Sequence, residues 1–210
     1  MLQNLDLISL VFQVIAVLFA ISVHEYAHGF ISYRLGDPTP RLEGRLSLNP
    51  LAHLDPIGTL MLVVFRFGWA KPVMVNPTYY QNPRKGMMYV SLAGPGANVL
   101  TAYIFAFIRW AFVHFVIEWF PGMNFRTVVK LVYFLDLNII INLGLAAFNL
   151  IPVPPLDGSK ILGGLLPYRY RRVLYTLEQY GPIILVILLF TGIAGKIVSP
   201  IVRVLGYFIL

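Results

Sequence analysis

Hydrophobic and polar positions along this chain fall into long blocks. From Leu7 to Val23 there is no Lys, Arg, Asp or Glu, and three ionisable residues then arrive together at His24, Glu25 and His28. Comparable apolar stretches run over Leu5–Tyr33, Met87–Ile117, Val128–Leu150 and Gly181–Leu210. Each holds about twenty or more mostly apolar residues, enough for a helix to cross roughly 30 Å of hydrocarbon. A fifth stretch, Ile57–Phe65 between Asp55 and Arg66, is too short to span simply and reads as re-entrant or as a strand. Val63-Val64-Phe65 and Pro72-Val73-Met74-Val75 flank a turn-like Arg66–Lys71 and are compatible with a hairpin at the membrane edge. The pattern predicts an all-α polytopic membrane protein with about four to six transmembrane or re-entrant segments, to which a small β-hairpin could be added.

Composition narrows the class. The 210 residues are 58% hydrophobic and only 12% charged, and the mean hydropathy is +0.75. A soluble domain is nearer a quarter charged. The apolar runs are continuous rather than alternating, which favours helices over a β-barrel. Without a cysteine there can be neither disulfide nor thiolate metal ligand. The net charge of +7 is read as basic loops on one side of the membrane and not as a nucleic-acid surface. Arg34, Arg41, Arg45, Arg66, Lys71, Arg84 and Lys85 lie between the first and second segments, and Lys160, Arg169, Arg171 and Arg172 follow the third. The connection between the second and third has only Arg126 and Lys130. The positive-inside rule therefore places the N-terminus outside and the two basic stretches in the cytoplasm, with the cell membrane as the expected location. The N-terminus has no basic region of the kind that opens a cleavable signal peptide.

Ionisable groups inside an apolar segment need a reason, since each costs roughly 2.5–3.5 kcal/mol on insertion scales. His24 and His28 are four apart and share one helix face, with Glu25 beside them. That arrangement suits a zinc ion and a general base. Zinc hydrolases usually use three protein ligands and leave one position open. The other histidines, His53 and His114, read as a loop organiser and an interfacial residue. The third segment ends in Asn149-Leu-Ile-Pro-Val-Pro-Pro-Leu-Asp157-Gly158. Its prolines break the helix, and the topology brings Asp157 to a depth similar to that of His24 and His28. Irregular backbone at that depth belongs in a protein-lined or wet cavity. A turn or capping role for Asp157 is the competing reading.

His24-Glu25-x-x-His28, together with Asn149 through Leu156-Asp157-Gly158, resembles the site-2 protease family in its compact form without a PDZ domain. These are intramembrane zinc metalloproteases that cut membrane-spanning substrates. Asn49–Pro56, Gly68–Val73 and Ala93–Asn98 also match, so the likeness covers most of residues 20–165. The resemblance implies one Zn2+ per chain held by His24, His28 and Asp157. It further implies Glu25 as the base that deprotonates the attacking water, and Asn149 as a contact to substrate backbone or developing oxyanion. Asn149 has a competing role in satisfying carbonyls freed by Pro152 and Pro154, and Asn138 and Asn142 could form with it a polar helix-packing stripe. Gly94–Asn98 reads as a close-packing surface whose Asn98 can hydrogen-bond across the gap. Trp69, Trp110, Trp119, Tyr79 and Tyr80 suit interfacial anchoring.

The expectation is thus a single integral membrane domain over 1–210, with a catalytic core of roughly 5–165 and a C-terminal transmembrane segment of roughly 181–210. Its function would be zinc-dependent endopeptidase cleavage of transmembrane or membrane-proximal segments, as in regulated intramembrane proteolysis. The active site would lie near the cytoplasmic side. The partners are a transmembrane protein substrate and the lipid bilayer. The rival is an inactive membrane scaffold or metal-binding transporter. Oligomeric state, substrate and cleavage site are not encoded in any motif.

Overall fold

The computed structural model describes residues 7–55, 58, 71–116, 122 and 124–210. Long helices dominate it: α1 (Leu7–Arg34), the short α2 (Thr39–Leu42), α3 (Pro83–Ala111), α4 (Phe125–Asn149), α5 (Asp157–Leu165), α6 (Arg171–Phe190) and α7 (Ile193–Leu205). Four segments are long and apolar enough to cross a membrane: Leu7–Arg34, Pro83–Phe115, Phe125–Asn149 and Tyr168–Phe190. The protein is an all-α polytopic membrane protein, and no strand occurs among the described residues. The Val63–Phe65 arm of the expected hairpin, and the Ile57–Phe65 segment with it, lie outside them.

Local chemistry sets the helix ends. Asn82 and Asn124 cap α3 and α4, their side chains accepting from the Lys85 and Arg126 amides at 3.0 and 2.9 Å. Both caps satisfy donors that a helix start leaves unpaired. Gly36, at φ +105, turns the chain after α1 in a conformation that favours glycine.

α1, α3 and α4 pack against one another, α5 lies on α3, and α7 lies on α4. Their shared faces are small and polar. On α1 the buried positions Ala16, Ala20, His24 and Ser32 recur at helical spacing, while Leu7, Leu10, Val11, Val14 and Ile15 face outward. On α3 the buried stripe is Ser91, Gly94, Pro95, Asn98, Thr101 and Ala102. On α4 it is Asn138, Ile139, Asn142, Leu143, Ala146 and Ala147. Lipid tails solvate Leu and Val as well as a protein interior does, so close approach and interhelical hydrogen bonds specify the packing instead. A small apolar cluster of Ala102, Ile139 and Leu143 seats Val202 and Leu205 of α7.

The C-terminal region departs from the expected single segment of 181–210. α6 begins ten residues earlier, at Arg171, and stops at Phe190; Gly192, at φ +71, then separates it from α7. A left-handed glycine cannot continue a right-handed helix, so the apolar run divides in two. At 13 residues, about 20 Å, α7 is too short to span and instead lies along α4.

Candidate metal centre

His24 and His28 occupy successive turns on the inner face of α1, and Asp157 opens α5 just after the proline-rich loop. The loop turns tightly because Gly158 lacks a side chain: a Cβ there would strike the carbonyls of Leu150 and Ile151. The three residues converge. Nε2 of His24 and Nε2 of His28 each lie 3.1 Å from Asp157 Oδ2. The side chains are 6, 11 and 9% exposed in the order His24, His28, Asp157.

The donor set fits a zinc ion. Ligands about 2.0–2.1 Å from a tetrahedral zinc are separated by about 3.3 Å, close to these spacings. Both imidazoles have their other nitrogen committed: His24 Nδ1 donates to Asn98 Oδ1 at 2.6 Å and His28 Nδ1 donates to the Val90 carbonyl at 2.7 Å. With Nδ1 protonated, each Nε2 presents a lone pair to the space beside Asp157. Fixing a ligand's orientation through its outer nitrogen is the usual support for metal-binding histidines. Among the described residues, these three form a cluster able to hold one metal ion.

α3 comes close enough to make these bonds because of Gly94. A Cβ at that position would sit 2.5 Å from His28 Nε2 and 2.7 Å from His24 Cε1. The expected close-packing role of Gly94–Asn98 is therefore specific: the glycine admits both imidazoles and the asparagine, one turn on, holds one of them.

Glu25 leaves the same turn of α1 toward the chain entering α3. Its Oε2 accepts from the Val73 amide at 2.9 Å. Residues 71–76 are pinned on either side of this bond. The Lys71 amide donates to the His53 carbonyl at 2.9 Å, and the Asn76 amide donates to Asp37 Oδ2 at 2.7 Å. Asp37 is fully buried and also accepts from Ser32 Oγ at 2.7 Å and the Thr39 amide at 2.9 Å. Burial pushes its carboxyl pKa up, but these donors outweigh burial and hold it below the usual carboxylate value. Tyr80, expected to be an interfacial anchor, instead belongs to this cluster. It is 5% exposed with its hydroxyl 2.6 Å from Ser32 Oγ.

The remaining sequence candidates separate clearly. Asn149, at the end of α4, is partly buried and donates from Nδ2 to Leu145 O of its own helix at 3.1 Å. The structure does not join it to the histidine–aspartate cluster by a hydrogen bond. Asn142 is fully buried and accepts from Asn98 Nδ2 at 2.8 Å, so it serves packing across helices. His53 is buried in the loop after Asn49, its Nε2 donating to Ser47 O at 2.7 Å, and lies outside the metal cluster. His114 is exposed, beside Trp110. Two contributors had no side-chain signal at all: the Val90 carbonyl and the Val73 amide are backbone groups.

Comparison with known proteins agrees with this chemistry. Residues 12–194 match the sequence profile of peptidase family M50. The candidate zinc metalloprotease YwhC of Bacillus subtilis is 36% identical over 190 residues, 90% of this chain and 85% of its own. The candidate zinc metalloprotease Rip2 of Mycolicibacterium smegmatis is 31% identical over 180 residues, 83% of this chain and 64% of its own. No solved structure gives a significant match.

Proposed function

Because the chain belongs to peptidase family M50, we propose that this zinc metalloprotease is an intramembrane endopeptidase cutting transmembrane or membrane-proximal segments of other proteins. The observation that carries the reading is the convergence of two imidazole Nε2 atoms on one Asp157 oxygen, next to Glu25, within a membrane-crossing helix. His24 lies ten residues before the end of α1, about 15 Å along the axis from it. A site at that depth addresses peptide bonds that are themselves inside the bilayer. The loop charges support an opening on the cytoplasmic side.

His24, His28 and Asp157 would hold the ion, and their outer bonds would keep it in register. When bound, zinc supplies Lewis-acid polarisation of the scissile carbonyl and makes water acidic enough to attack near neutral pH. Glu25 takes the proton from the attacking water and passes it to the leaving amine. The Val73 amide fixes one Glu25 oxygen and leaves the other for that work. Asn149 would support the negative charge developing at the carbonyl oxygen or the substrate backbone, after releasing Leu145 O. Helical substrate hides its amides in hydrogen bonds, so it must unwind locally before attack. The hydrolytic water would enter from the cytoplasmic side, where the loop charges put the near end of the site.

Zinc content and cleavage should be measured together on wild type and Glu25→Gln. Zinc in both, with cleavage of a membrane-segment substrate in wild type alone, is the expected result. Equal cleavage by Glu25→Gln would refute the base, and absence of zinc from wild type would remove the whole reading.

A further inference from the structure

Behind His24 lies a directional chain of amides crossing three helices. Asn98 is fully buried on α3 and uses all its hydrogen-bonding faces toward α1 and α4. Its Nδ2 donates to the Ala20 carbonyl at 2.9 Å and to Asn142 Oδ1 at 2.8 Å, and its Oδ1 meets His24 Nδ1 at 2.6 Å. Asn142 Nδ2 donates in turn to Asn138 O at 2.8 Å, and Asn138 Nδ2 to Phe134 O at 2.8 Å.

An amide side chain is ambiguous by itself, since its oxygen and nitrogen can exchange places by a flip. Here the ambiguity is removed by partners of one polarity. A backbone carbonyl only accepts, so Ala20 O requires the NH2 group of Asn98 to face it. Asn138 O likewise requires the NH2 of Asn142, which turns Asn142 Oδ1 toward Asn98 and demands a donor from it. Both constraints turn Asn98 Oδ1 to His24. An acceptor at that place requires the proton on Nδ1, so in the neutral ring that binds a metal the free lone pair is on Nε2, beside Asp157. In a membrane interior no bulk water competes for these groups, and reversing any one bond would leave buried groups unpaired.

We propose that Asn98 is a positioning residue that fixes the tautomer and orientation of His24 and so sets zinc affinity, with the Ala20 carbonyl and Asn142 fixing the sense of Asn98 itself. This rests on the metal-site assignment above. His28 is handled differently, by one backbone carbonyl, and therefore needs no side-chain support. The two ligands thus depend on different substitutions.

The discriminating variants are Asn98→Leu, Asn98→Asp and Asn142→Leu, purified as full chains and titrated with Zn2+ against a competing chelator. Asn98→Leu is nearly isosteric but offers His24 no acceptor. It should weaken zinc binding by roughly 10–100-fold, the range for loss of an outer-shell partner. Asn98→Asp keeps the acceptor and loses the donor to Ala20 and Asn142. It should lower thermal stability as much as Asn98→Leu while holding zinc within about threefold of wild type, since carboxylates commonly support zinc-bound histidine. Asn142→Leu leaves Ala20 to orient Asn98 and should do the same. Nitrogen-15 spectra of histidine-labelled, metal-free protein give the second readout. Wild type and Asn142→Leu should show the His24 signal of the Nδ1-protonated form, and Asn98→Leu should lose it. Zinc losses that simply track stability across all three variants would overturn the proposal. If wild type itself bound no zinc, the metal-site assignment would fail instead.

Discussion

The bundle of α1, α3 and α4 and the C-terminal helix α6 are built from similar amino acids and behave oppositely. Within the apolar windows of the three bundle helices, 22, 22 and 33% of residues are buried by protein, against 6% for α6. Both regions are rich in Leu, Ile, Val and Phe, so hydrophobicity does not separate them. The stripes do. The bundle helices carry Ala, Gly, Ser and Asn at helical spacing, and those residues meet one another. On α6 only Gly181 is buried, at the place where a Cβ would approach Pro154 to 2.7 Å. In lipid, small and polar residues carry specific association, and large apolar ones mostly face the solvent. The candidate metal ligands His24 and His28 lie within the bundle, where the packing is most specific, which suits a metal site, since such a site tolerates little looseness.

Substitutions can sharpen or break this contrast. The largest effect should come from the ligands: His24→Ala or Asp157→Ala should lower zinc content and abolish cleavage, measured by metal analysis of purified protein. If Asp157→Ala bound the ion normally, the third ligand would be elsewhere. Next comes Gly94→Ala, which adds one methyl 2.5 Å from His28 Nε2 and against the His24 ring. It should cost about 1–3 kcal/mol by overpacking and weaken zinc binding too, whereas an alanine at Gly195 of α7, where a Cβ meets nothing, should do neither.

Acid should act next, through Asp37. Its folded pKa lies below the unfolded value of about 3.9. Its stabilisation is therefore present above that value and lost as pH falls through the folded pKa. Hydrogen exchange at the Asn76 amide should rise over that acidic range, and Asp37→Asn should show fast exchange already at neutral pH. An unchanged exchange rate in Asp37→Asn would show that the cluster does not pin residues 71–76. The smallest effect should be on α6: Ile183→Leu or Val186→Leu, both on exposed positions, should change the melting temperature and cleavage little. A large loss there would mean that α6 packs against protein.

Much of this architecture was legible in residue order. The spacing of His24 and His28 inside an uncharged run, and the proline-broken turn before Asp157, pointed to three residues that the fold brings together as a group able to hold one metal ion. Three of the four spans followed from apolar length, because a bilayer imposes a length on any helix that crosses it. The fourth was misplaced. Hydropathy continues through Thr191 and Gly192, and only backbone handedness at Gly192 ends α6 there. Tyr80 likewise looked like an anchor, since tyrosines favour interfaces, until Ser32 and Asp37 supplied a buried partner.

The sequence by itself determined the class of chemistry and the medium: which side chains could bind zinc, and that they lie among residues that only lipid would solvate. Tertiary structure decided how those side chains are held. The Val90 carbonyl behind His28, the Val73 amide on Glu25 and the sense of the Asn98 amide are matters of which backbone atoms meet across helices. Residue types do not specify such meetings, because every residue but proline carries the same backbone donor and acceptor, and only packing selects the one that is used.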